Sequence, residues 1–432
     1  MTHQPNLDQP KKFLPAKVPV NLQMQKLILP IIALFLTKFQ TGLISNSKYH
    51  LLLILMLAGL AGPLFPQQGK EFTFEVITSE NPILQKGLSA NTVYTVLQDS
   101  YGYMWFGTWD GLNKYDGYTF TTYDKKDGLS NEIINSMVET GDGNIWIGTD
   151  DGLNCFDPTT DKITVFRHNP NDSTSITSNH VNYLLHDKPG RLIVCTDKGL
   201  NLFDLETHKS LRFQARESGQ RRTRANNFNY ATVSSNGIYW IATDFGLIEY
   251  DPVTFENIRH LNRPDDKNSL SSNSVRVVYE DRQKRIWVGT ENGLSLLDRE
   301  TNTFRVFRND PSDPRSLSHN FVECLYEDTS GNFWVGTDGG GLNLLNTDSL
   351  YFDKVNPNNL LSPGISNNRI YSIVEDSQGN LWFGTFNGVN IWDRFKPRFN
   401  LYTARHNDPE SLNSSFVWSF IEYRPHIIWM GT

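Results

Sequence analysis

A chain of 432 residues, 38% of them apolar, has room for a large core. Its net charge of −7, with Lys and Arg scattered along the sequence, offers no basic stripe for tracking phosphates, so no nucleic-acid partner is expected. The three cysteines, Cys155, Cys195 and Cys324, have no metal-ligand spacing and occupy ordinary strand positions of a repeat. They are expected as buried free thiols, and no metal or cofactor is expected.

In chain order, residues 1–66 share nothing with the rest of the chain. They hold two apolar runs, Leu27–Leu36 and Leu51–Leu60, the second preceded by Lys48 and followed by Ala61 and Gly62. A basic residue, a short apolar stretch and then small residues form the pattern of a secretory signal. Each run is short for a membrane span, so export with cleavage near Ala61 is expected, with an uncleaved anchor as the alternative. The protein is expected to act outside the cytoplasm.

Beyond this segment one unit recurs, most cleanly from Tyr279 to Asp298. A Trp-x-Gly-Thr core at Trp287 is followed three residues later by Gly-Leu and a short apolar run. The core returns at Trp105, Trp146, Trp240, Trp334, Trp382 and Trp429, with Ile193 in the Trp place of one unit, at spacings of 41 and then 47 or 48 residues. A fixed period of this size without helical periodicity points to a propeller or solenoid. In the fifth unit four apolar runs, Val275–Glu280, Arg285–Thr290, Leu294–Leu297 and Phe304–Phe307, are separated by turn residues. These are strands A, B, C and D of one antiparallel blade.

The A–B turn usually reads Asp-x-x-Gly, as at Asp99, Asp187, Asp328 and Asp376, which suits a carboxylate folded onto backbone N–H groups and a glycine at positive φ. It resembles the Asp box of sialidases, itself a turn device. The Trp of strand B is expected to be inter-blade core, and the Gly two residues later to make room for the neighbouring sheet. Seven units read as having all four strands, and an eighth, Phe416–Thr432, has only A and B. The expected fold is therefore all-β: a seven-bladed β-propeller of four-stranded antiparallel blades over residues 67–396, followed at 397–432 by the incomplete start of a second propeller. Phe72–Val76 is expected to close the ring as the outer strand of blade seven, with Phe399–Tyr402 as the competing segment.

Gly87-Leu-Ser-Ala-Asn91-Thr-Val93 at strand A, the Asp-x-x-Gly turn, Trp-x-Gly-Thr, and Gly111-Leu-Asn-Lys-Tyr-Asp-Gly117 together resemble the two-component regulator propeller over residues 72–432. The resemblance implies the periplasmic sensor region of a hybrid two-component system that detects glycan fragments. Its implied partners are an oligosaccharide or other small glycan and the remainder of a sensor kinase, in one arrangement as a homodimer. No kinase His box, Gly-rich ATP lid or receiver Asp can be matched, so the chain itself is not expected to be an enzyme.

Residues that recur in every blade maintain the blade, whereas those that change within one loop are free to make a site. The B–C loops read Trp109-Asp110, Asp150-Asp151, Asp197-Lys198, Asp244-Phe245, Glu291-Asn292, Asp338-Gly339-Gly340 and Phe386-Asn387. Carboxylates and amides can bond sugar hydroxyls, and aromatic rings can cover a sugar's C–H face. Trp109, Asp110, Asp151, Lys198, Asp244, Phe245, Glu291, Asn292, Asp338, Phe386 and Asn387 are thus the candidate ligand-binding residues, with no catalytic and no metal-binding residue. An Asp that supports a tight turn before Gly is the plainer reading of the repeated Asp. His180, Arg276 and Arg369, which follow the recurrent Asn at the start of strand A, are further candidates for the channel mouth. The competing functions are a secreted propeller lyase or glycosidase, which needs a coherent acid and base set, and a protein-interaction scaffold.

Overall fold

The computed structural model describes residues 72–80, 87–214, 226–355, 364–394, 411–424 and 427–432. The leader at 1–66 and the Phe399–Tyr402 segment lie outside them. Seven four-stranded antiparallel sheets form the fold, with one further two-stranded sheet at Ser419–Arg424 and Ile427–Gly431.

In the fifth blade the strands are Val275–Glu280, Ile286–Thr290, Gly293–Asp298 and Thr303–Phe307, within one residue of the sequence reading. Sheet order is A-B-C-D, and successive A strands neighbour one another around a closed ring, the A strand of blade seven (Ile370–Glu375) meeting that of blade one (Val93–Gln98). Strand A is thus innermost. The seventh unit supplies three strands of its blade rather than four: the fourth is Glu75–Ile77, paired antiparallel to Gly388–Trp392. The ring is closed by the beginning of the propeller chain.

Both faces of each sheet are apolar, so the core is divided into seven layers, each shared by two consecutive blades. The layer between blades five and six joins Trp287 and Leu294 to Val322, Leu325 and Phe333. The Trp287 ring lies 5.4 Å from that of Phe333 and is fully buried. The glycine two residues later sits against the next blade: a Cβ on Gly289 would lie 2.7 Å from Val322, and one on Gly107 would lie 2.6 Å from Ile134. Blades three and four have the small residues Cys195 and Ala242 there. Between these two blades Ile193 stands in place of Trp within the layer.

The Asp of the A–B turn has a second task. In blade one Asp99 Oδ1 accepts from the backbone N–H groups of Tyr101 and Tyr103, while Oδ2 accepts from the Trp105 indole N–H at 2.7 Å. Asp281, Asp328 and Asp376 bond Trp287, Trp334 and Trp382 in the same way. A buried indole N–H without a partner costs roughly 1–3 kcal/mol. In blades two and four Thr140 and Ser234 replace the Asp, and the Trp146 and Trp240 indole nitrogens have no partner. Ser234→Asp should therefore raise stability by about 1 kcal/mol in denaturant unfolding; a loss would show that the carboxylate cannot reach Trp240.

Two further sets of bonds repeat. Ser89, Thr108 and Asn113 form a cluster in which Ser89 N–H donates to Asn113 Oδ1 and Asn113 Nδ2 donates to Ser89 Oγ. Ser130, Thr149 and Asn154 repeat it in the next blade, which explains the Leu-Ser, Gly-Thr and Leu-Asn elements of the motif together. At the other end of strand A, Glu139, Glu280, Glu327 and Glu375 each accept from the A–B turn of the preceding blade, lacing the ring. Gln98 makes the same link across the closing seam, accepting from Ser377 N–H at 2.7 Å.

The cysteines are free. Burial pushes the Cys155 thiol up to about 12 and those of Cys195 and Cys324 higher still, as befits core residues.

Candidate functional site at the ring mouth

The face that carries the B–C turns also carries the D–A connections, because strands B and D both end there. Each B–C turn is two residues long in most blades, and its glycine N–H donates to a carbonyl at the start of the next strand A, as from Gly152 to Asn179 and from Gly293 to Asn320. The recurrent Asn also accepts through Oδ1 from the preceding loop: Asn179 from His168 N–H and Asn320 from Asn309 N–H. That Asn belongs to the scaffold.

A two-residue turn sends successive side chains in opposite directions, and the bonds divide the candidates accordingly. First-position groups lean toward the innermost strands. Asp244 accepts from Asn229 Nδ2 of strand A and from Asn227 Nδ2, and Asp338 pairs with Arg369 at 2.8 Å. Arg369 also lies over the Phe386 ring, 5.5 Å from its centre. Asp150, which the sequence reading left out of the candidate set, accepts from Asn135 of strand A and pairs with His180 at 3.2 Å. Trp109 and Glu291 occupy the same first position and are exposed.

Second-position groups instead meet the outermost strand. Asp151 pairs with Arg167 at 3.1 Å, just after strand D (Lys162–Phe166), and Phe245 lies beneath Arg259 of strand D (Asn257–His260). The carbonyls of Lys198 and Asn292 accept from Gln214 and Arg308, both following a strand D. Asp110 and Asn387 share this position and are exposed. The sequence signal for the split was a cation or amide sixteen residues after the turn: Arg167, Gln214 and Arg308.

Inside the rim, the second residue of each strand A forms a ring that sequence reasoning did not assemble: Tyr94, Asn135, Asn182, Asn229, Arg276, Glu323 and Tyr371. Asn135, Asn182 and Asn229 are occupied in bonding the backbone carbonyl that opens the next strand A. Arg276 pairs with Glu323 at 3.3 Å. Burial pulls its guanidinium down, but Glu323, and more distantly Asp244 and Glu291, outweigh this and hold it above its usual range. Carboxylates of three blades thus converge on one cation.

Blades one and seven differ. Their first-position turn residues are Trp109 and Phe386, 60% and 48% exposed, although the repeated Trp residues are buried. Thr92 joins the two turns, its carbonyl accepting from Trp109 N–H and its Oγ1 donating to the Phe386 carbonyl. Two residues on, Tyr94 packs against Tyr371 with ring centres 5.2 Å apart. Burial raises the Tyr94 phenol, and the Asp150 charge raises it further. The mouth therefore has an aromatic sector on blades seven and one and an acidic arc on blades two to six. No group of His, Cys, Asp and Glu among the described residues could hold a metal ion.

Five segments, residues 87–110, 128–151, 269–292, 316–339 and 364–387, match the family model of the two-component regulator propeller. A 56-residue stretch is 46% identical to Histidine kinase P4 of Formosa agariphila, covering 13% of this chain and 4% of that protein. The extracellular domain of a hybrid two-component system from B. thetaiotaomicron matches with a TM-score of 0.62 and 25% identity, over 80% of this chain and 45% of that one. The extracellular domain of a one-component system from the same organism matches in fold, with a TM-score of 0.58 and 21% identity over 83% of this chain and 51% of that one. The chain thus spans about half the length of these ectodomains.

Proposed function

We propose that this chain, five segments of which match the two-component regulator propeller model, is the extracytoplasmic sensing propeller of a hybrid two-component regulator that binds a carbohydrate-derived ligand at its B–C mouth. In this reading, binding is passed to a kinase, and the leader at 1–66 exports the propeller to the periplasm. No helix among the described residues is long and apolar enough to cross a membrane.

The observation that carries the reading is the exposed pair Trp109 and Phe386 on adjoining turns, above the packed Tyr94 and Tyr371. A ring that buries its repeated tryptophans leaves two large aromatics in water at this sector of the mouth. Flat apolar rings beside fixed polar groups, here Asp338 held by Arg369, form the mixture that recognises a sugar's C–H face and hydroxyls. Calorimetry of the full chain against a panel of glycan fragments, with product analysis of the same mixtures, tests this. Saturable binding without turnover is expected. Released product would make the protein an enzyme, and no heat with any fragment would remove the carbohydrate reading.

A further inference from the structure

We propose that the mouth selects an uncharged or amine-bearing glycan and rejects one carrying uronate or sulfate groups. This rests on the carbohydrate reading above and deepens it. Six carboxylates, Asp150, Asp197, Asp244, Glu291, Glu323 and Asp338, occupy the first turn positions and the inner ring of blades two to six. They face two guanidiniums, both already engaged: Arg276 with Glu323 at 3.3 Å and Arg369 with Asp338 at 2.8 Å. Among the described residues, Asp197, Asp244 and Glu291 make no salt bridge, and Asp150 has only His180.

A glycan whose ring lies on Trp109 and Phe386 extends along this arc wherever its chain crosses the mouth. Walls of low dielectric focus the field of such a rim, so an added anion meets repulsion that bulk water would screen. Its stray carboxylate would also have to displace Asp338 from Arg369 or Glu323 from Arg276 to gain a cation. A hydroxyl or ammonium meets acceptors instead.

The test uses the full chain and oligosaccharides of equal length in three forms: chitin oligomers, their deacetylated amines, and oligogalacturonates. At low ionic strength the anionic form should bind at least tenfold more weakly than the better of the other two, and added salt should narrow that gap. Glu291→Lys, at an exposed position, should narrow it severalfold, with the unfolding midpoint read in parallel. Anionic chains binding as tightly as the others would overturn the charge selection while leaving the carbohydrate reading intact. Binding of none of the three would count against both.

Discussion

Trp287→Ala should destabilise the propeller by about 3–5 kcal/mol, the usual cost of removing a buried aromatic side chain. The ring is fully buried between blades five and six, beside Phe307 and Phe333, and its indole N–H is bonded to Asp281. Truncation empties a space that two sheets cannot close without moving the whole ring. Asp281→Ala should cost less, about 1–3 kcal/mol, because it strands the indole N–H but leaves the packing. Trp109→Ala, at a solvent-facing position, should change stability by no more than about 0.5 kcal/mol. Denaturant unfolding of the three variants must give that order. A melting curve for Trp287→Ala like that of the parent would place the repeated tryptophans outside the seams.

The second large effect concerns closure. Phe74 is buried with its ring 5.6 Å from Phe383, and Phe72 contacts Trp334 and Trp392 at 5.4 and 5.1 Å. Glu75–Ile77 then supplies the edge strand of blade seven. Deleting Phe72–Ile77 should remove both anchors and leave Gly388–Trp392 as an open edge, so the chain should aggregate or unfold at markedly lower temperature. The milder Phe74→Ala should cost about 3–5 kcal/mol while remaining soluble. A deletion variant that stayed monodisperse and equally stable would mean that another segment closes the ring.

The architecture was readable from the sequence because its determinants are periodic. Six buried tryptophans and seven small residues recurring in one register are hard to satisfy in any fold but a closed set of similar sheets. What escaped was whatever couples side chains across a turn or between copies. The Asp99 carboxylate looked like a turn device because its bonds to Tyr101 and Tyr103 are local, whereas its bond to Trp105 depends on strand B folding back over it. The lacing by Glu139 and Glu375 was hidden because each partner lies in the preceding blade. At the mouth, sequence grouped the loop residues together although the turn geometry sends Asp338 inward and Phe245 outward onto Arg259. The aromatic sector was half visible: Trp109 and Phe386 stood out as variable, but their adjacency depends on ring closure, which places residue 92 beside residue 386. Beyond the ring, Ser419–Arg424 and Ile427–Gly431 pair as an A and B hairpin with the register of a blade and expose Trp418, Phe420 and Trp429. That accords with the motif reading of the eighth unit; a second propeller needs strands that are absent among the described residues.

The most direct test of a sensing mouth at blades seven and one is the glycan affinity of Trp109→Ala and Phe386→Ala beside that of Asp99→Ala, measured by calorimetry on the folded protein. An aromatic hot spot is worth about 2 kcal/mol or more, so each rim variant should lose roughly thirtyfold in affinity with its melting curve little changed. Asp99→Ala, in an A–B turn on the opposite face, should melt earlier yet bind normally in its folded fraction. Rim variants that keep full affinity while the turn variant loses it would contradict the account and place the ligand on the other face of the ring.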